Sequence, residues 1–280
     1  MSSPAALAER ALLLEVAATP TPGNVDRERD LPDLRFEQFL AGATGARDGL
    51  ERIAEGDAIA DGFENAVACM AEASGTNTQF GSLLLLAPLL RASVRNDRLT
   101  PETASAAATA TTVDDAAAFY RSFGHVDVRV DDPPADLEPL DVRRGSDAIP
   151  TLRDRGLTLA DVMETAADRD GIAAEWTHGF ERTFAAADRL ATTDGPIGER
   201  AARVHLELLA AEPDTLVATK HDEATAAEVR RRAASIDPED VDAVRDFSEE
   251  LIDRGINPGT TADLLAGALF VALVRGEVEP

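Results

Sequence analysis

Apolar residues recur at spacings of three and four through most of the chain. Phe36, Phe39, Leu40, Ala43, Ala46, Leu50 and Ile53 fall on one face of a helix, and Phe63, Val67 and Met70 repeat the pattern. Leu83 to Leu90 is apolar all round, as in a buried central helix, and Pro88 within it predicts a kink or an early end. Thr158 with Asp161 reads as a capped start leading to Val162 and Ala166; Trp176, Phe180, Phe184 and Ala187 continue the period. Further helices are expected over Glu199–Ala211, Ala224–Ala234, Pro238–Arg254 and Thr261–Val274, with Gly255 as a stop. Only His125 to Val130 alternates like a strand, and it opens a stretch rich in Pro and Asp, Asp131 to Pro150. The pattern predicts an all-α fold, one domain over residues 1–280, with Leu83–Leu86 near its centre and residues 131–150 an irregular surface loop.

Three polar turns interrupt this pattern, each beside an apolar helix. The first, Glu15 to Asp26, holds Pro20, Pro22 and Gly23 between two acids, more than a plain helix stop needs. The second, Ser74 to Gly81, carries Asn77 and Thr78 at the start of the most apolar helix, where free backbone N–H groups suit phosphate as well as a simple cap. In the third, Asn257-Pro258-Gly259 leads into Thr260, Thr261 and Asp263. Helix capping accounts for the Thr and Asp but not for the Asn-Pro-Gly. The three turns are expected to meet around one pocket.

Composition narrows the function. The net charge is −25, and Lys220 is the one lysine among 27 basic residues. With the abundant Ala, this reads as an acidic, halophilic protein. No basic stripe for a phosphate backbone appears, so nucleic acid is excluded as a partner. No apolar run is long enough to span a membrane, and the N-terminus has no secretory pattern, so a cytoplasmic protein is expected. Cys69, the single cysteine, excludes an intrachain disulfide and a cysteine zinc site, and its apolar run predicts a core position. Familiar nucleotide and hydrolase motifs are absent. Asp214, Lys220 and His221 form one more polar group; a compact ammonium retained where the chain otherwise uses Arg is a candidate phosphate contact.

Together these blocks resemble the triphosphoribosyl-dephospho-CoA synthase family (CitG/MdcB). The similarity rests on Glu15, Val16, Pro20, Pro22, Gly23, Val25 and Asp26; on Asn77, Thr78 and Gly81; on Asp214 and Thr215; and on Asn257 through Leu265. It runs from about Ala11 to Val274 and is weak between about Leu99 and Val204. The resemblance implies a helical enzyme that displaces adenine from ATP and joins the ribose C1 to the 2′-hydroxyl of 3′-dephospho-CoA. It implies catalytic roles for Glu15, Asp26 and Asp263. It implies nucleotide or phosphate contacts for Pro22, Gly23, Asn77, Thr78, Lys220, Asn257, Gly259 and Thr260. Mg²⁺, which favours carboxylate and phosphate oxygens, would be held by Glu15, Asp26, Asp214 and Asp263. Partners are then a nucleotide and a CoA-like molecule, with self-association left open.

The chain departs from the family pattern in several places. Gln79-Phe80 stands where His-Lys is usual, Arg35 replaces the second acid of an Asp-x-Asp pair, Lys220-His221-Asp222 replaces a basic Gly-rich segment, and Arg144-Gly145-Ser146 replaces Arg-Gly-Glu. Two alternatives therefore stand beside the transferase: a metal-dependent hydrolase of a nucleotide or phosphoribosyl compound, and a nucleotide-binding protein without catalysis.

Overall fold

The computed structural model describes residues 2–279. It is 69% helical and has no strand among those residues, which makes the fold all-α. The first half contains α1 (Pro4–Ala17), α2 (Phe36–Gly45), α3 (Arg47–Glu55), α4 (Ile59–Ser74), α5 (Phe80–Arg95), α6 (Pro101–Thr109) and α7 (Val113–Ser122). Then follow α8 (Ile149–Arg155), α9 (Leu159–Ala166), α10 (Gly171–Thr177), α11 (Glu181–Thr192) and α12 (Ile197–Ala211). The chain closes with α13 (Thr215–Lys220), α14 (Glu223–Ala233), α15 (Val241–Asp253) and α16 (Gly259–Arg275). No helix among the described residues is long and apolar enough to cross a membrane.

Two helices make the centre. In α5, every residue from Ser82 to Ala92 is buried, as is every residue from Leu264 to Leu273 in α16. The two pack on each other, and α1 and α11 cover α16. Pro88 does not end α5, which runs on to Arg95. A proline has no N–H to give the carbonyl four residues earlier. Here that carbonyl, on Leu84, accepts the indole Nε1–H of Trp176 at 3.3 Å. A partner from α10 thus replaces the missing helical bond, and the apolar surroundings hold the helix together. Cys69 is half-buried rather than in the core.

A smaller apolar cluster joins α12 to α15 through Leu206, Leu209, Val217, Val229, Phe247 and Leu251. The turn after α1 lies between it and the main core. Gly23 has φ +74°, and a Cβ there would stand 2.6 Å from the Ile256 carbonyl oxygen and 2.7 Å from Pro258. Only glycine fits both the backbone and the space. Asn257 then donates through Nδ2 to the Gly23 carbonyl (3.2 Å) and to Asn24 Oδ1 (2.6 Å), while Asn24 donates to the Pro258 carbonyl (3.2 Å). The Pro-rich N-terminal turn and the Asn-Pro-Gly turn are therefore two halves of one brace.

The expected strand at His125–Val130 is extended chain without a partner strand. The stretch after it is more ordered than a plain loop: Ala135–Leu140 and Val142–Ala148 are 3₁₀ turns, and Leu140 and Ala148 are buried. Tyr120 anchors it by donating its hydroxyl to the Leu140 carbonyl at 2.5 Å. Residues 125–148 thus form a strap across the mouth of a cavity.

Candidate active site

The cavity, about 560 Å³, is ringed by the starts of α5 and α16, by the loop between α9 and α10, by α13 and by the strap. Its apolar wall includes Phe80, Phe119 and Phe123, with Phe80 and Phe123 5.1 Å apart in an edge-on arrangement. Its polar floor holds Glu15, Asp170 and Asp263.

Glu15, on the last turn of α1, is 4% exposed, and its carboxylate has no hydrogen-bond partner among the described residues. Burial, then the nearby Asp263, push its pKa well above the usual carboxylate range. Asp263 sits in the second turn of α16, and one of its oxygens accepts the Ser82 hydroxyl at 2.6 Å. Gly81 makes room for the other: a Cβ there would lie 2.0 Å from Asp263 Oδ2. Burial and the charges of Asp214 and Asp170 raise the Asp263 pKa to about 7. Asp170 caps α10, with Oδ1 accepting from Ile172 and Ala173 N–H at 2.9 and 2.8 Å, while Oδ2 is left to the cavity. Its pKa is raised as well, by enclosure in the protein despite the open face it turns to the cavity.

The threonines knit the helix starts together. Thr260 Oγ1 accepts from the Leu216 N–H at 3.2 Å and lies 3.0 Å from Thr215 Oγ1, which accepts from the Gly171 N–H at 3.0 Å. The openings of α10, α13 and α16 are thereby locked in one arrangement. Gly259 allows it, since a Cβ there would meet Leu216 at 2.5 Å.

Of the residues expected at the site, Glu15, Asn77, Thr78, Lys220, Asn257, Gly259, Thr260 and Asp263 all line the cavity. Asn77 does double service: Oδ1 accepts from the Phe80 N–H at the head of α5, and Nδ2 donates to the Asp127 carbonyl on the strap, both at 3.2 Å. Pro22 and Gly23 do not reach the cavity; they belong to the brace. Asp26 does not reach it either. It is fully buried and takes bonds from Thr19 Oγ1, the Thr21 and Glu28 N–H groups and Arg29 at 2.8 to 3.3 Å. Asp214 is similarly occupied: Oδ1 caps α13 at Val217, and Oδ2 accepts from the Thr261 N–H and hydroxyl at 2.7 and 2.8 Å. These two acids hold backbone in place, so the expected four-acid metal set is not assembled. Asp170, Arg129 and Arg169, also at the cavity, were not anticipated. Asp170 carries only the signal of an Asp before a short helix, and both arginines lie in the stretch where the family resemblance is weak.

No group of three or more His, Cys, Asp or Glu side chains among the described residues is placed to cage a metal ion. Mg²⁺ does not require such a cage; it commonly takes one or two carboxylates and completes its shell with water and substrate phosphate. The unbonded oxygens of Asp170 and Asp263, which repel each other without a cation, fit that mode.

A concave chamber of this size, with a few polar groups converging on one end of an apolar wall, defines a small-molecule enzyme. The family model for CitG, the ATP:dephospho-CoA triphosphoribosyl transferases, matches residues 1–279, and the chain belongs to that family. Among solved structures, it is similar to a candidate triphosphoribosyl-dephospho-CoA synthase from Archaeoglobus fulgidus, with 26% identity and a TM-score of 0.70, over 85% of this chain and 100% of the other. Among curated proteins the chain has no match.

Proposed function

We propose that the chain transfers the triphosphoribosyl group of ATP to the 2′-hydroxyl of 3′-dephospho-CoA, and that Glu15 is the residue at which the chemistry occurs. The observation that carries this is an unpartnered buried carboxylate aimed into a cavity floored by two further acids. In the reaction, the bond between ribose C1′ and adenine N9 breaks, positive charge builds on the ribose, and the acceptor oxygen closes on C1′. Because its pKa is raised, Glu15 first has to release its own proton. Once ionised, its carboxylate stabilises the charge on the ribose and, as a stronger base than an ordinary carboxylate, takes the proton leaving the hydroxyl. The departing adenine recovers one proton at N9, so charge balances. Mg²⁺, bound with ATP, would be held by Asp170 and Asp263 and would neutralise the triphosphate. Ser82 and Gly81 fix the Asp263 carboxylate, and Asn77 ties the strap to the head of α5.

Glu15→Gln keeps the shape and removes the charge. Turnover is expected to fall about 100- to 1,000-fold, the range seen when a general base or an electrostatic stabiliser is lost. ATP affinity should stay near the parent value. Unchanged turnover in a variant of parental helicity would remove Glu15 from the mechanism.

A further inference from the structure

Three cations meet at the cavity from three separate pieces of chain: Arg129 from the strap, Arg169 from the loop before α10, and Lys220 from the last turn of α13. None of them makes an ion pair among the described residues. Neighbouring cations do: Arg143, on the same strap, pairs with Asp132 and Asp141, and Arg182, beside Gly171, pairs with Glu212. In a chain of net charge −25, carboxylates for three more pairs are plentiful. Arg129 is also close enough to Lys220 to help burial lower the lysine pKa, against the opposite pull of Asp214. Asp214 and Asp170 act on Lys220 and Arg169 from a distance, but no carboxylate among the described residues pairs with any of the three, and an anionic ligand would satisfy them directly.

We propose that Arg129, Arg169 and Lys220 form a clamp for a polyphosphate group at the mouth of the cavity. The proposal rests on the transferase reading for the identity of that ligand. The reaction brings two polyphosphates together, the triphosphate of ATP and the diphosphate of dephospho-CoA. The carboxylate floor repels a bare phosphate and suits one that arrives with Mg²⁺. The cationic mouth suits a diphosphate carrying no metal, so the acceptor is the favoured source. Guanidinium groups supply paired N–H donors for phosphate oxygens, and the ammonium supplies a point charge.

Calorimetry with inorganic pyrophosphate, without Mg²⁺ and at one salt concentration, tests the clamp independently of catalysis. Arg129→Gln, Arg169→Gln and Lys220→Gln are each expected to weaken binding about 10-fold or more, the equivalent of roughly 1.5 kcal/mol for a charge-assisted bond. Arg27→Gln, which alters a cation outside this cavity, should bind as the parent does. Repeating the titrations with dephospho-CoA and with Mg-ATP identifies the source: a loss for dephospho-CoA assigns the clamp to the acceptor, and a loss for Mg-ATP alone assigns it to the donor. Parental affinity of all three variants for all three ligands overturns the clamp, as does a parent protein that does not bind pyrophosphate. If the variants lose pyrophosphate but the parent makes no coupled product, the clamp stands and the transferase reading fails.

Discussion

At the residue scale, Asp263 shows what a reactive floor costs. Its carboxyl has a pKa of about 7 in the folded chain, against an ordinary value near 3.8 when unfolded. Between these values the folded state holds a proton that the unfolded state has released. The contribution to stability is therefore fully present at low pH and is lost as pH rises toward 7. Asp263→Asn removes that dependence. Without Mg²⁺, the variant should be more stable than the parent at pH 8 by at least about 1 kcal/mol, or roughly 2–4 °C in Tm, and the gap should narrow at pH 5. Thermal melts of both proteins at the two pH values check this; a variant that melts below its parent at pH 8 would contradict it. The sequence made Asp263 and Glu15 legible because each stands at the edge of an unusual turn. It made Asp26 and Asp214 look equivalent, since a carboxylate that binds substrate and one that binds backbone N–H groups are the same letter. Only the fold reveals which oxygens are already occupied.

At the element scale, α5 survives its proline through a bond from another helix. The Leu84 carbonyl freed by Pro88 takes the Trp176 indole N–H. Trp176→Phe should therefore cost about 1 kcal/mol for the lost bond, beyond any packing loss. In a Pro88→Ala background the Leu84 carbonyl regains a helical donor, so the same change should cost less. A double-mutant cycle from urea unfolding measures the difference, and equal costs in both backgrounds would deny the coupling. Long apolar runs, Leu83 to Leu90 in α5 and Leu264 to Val274 in α16, made both helices visible, but Trp176 could not be matched to Leu84 from spacing, because 92 residues separate them. The strap was the element least legible. Val126, Val128 and Val130 alternate, yet no strand among the described residues receives them; Val126 and Val128 pack against the main core, and Val128 and Val130 line the cavity. Arg129 was hidden because His125–Val130 read as a strand, and the Pro and Asp content of residues 131–150 read as surface loop.

At the scale of the whole molecule, charge and core are arranged separately. Most ion pairs, such as Arg254 with Glu228 and Arg189 with Glu207, lie at the surface, where each contributes little. The apolar interior falls into the large cluster around α5 and α16 and the smaller one across α12 to α15, with the brace of Gly23, Asn24 and Asn257 between them. That brace explains why the two ends of the chain carry the most recognisable motifs: they are neighbours in space and support the same floor. The central claim is that this floor transfers triphosphoribose instead of hydrolysing a nucleotide or merely binding one. The most direct test incubates the protein with Mg-ATP and 3′-dephospho-CoA and resolves the products by mass. The account predicts free adenine in equal amount to a coupled product whose mass is the sum of the two substrates less adenine, with none formed when dephospho-CoA is omitted. Adenine or phosphate released without coupled product, or no turnover at all, would contradict it.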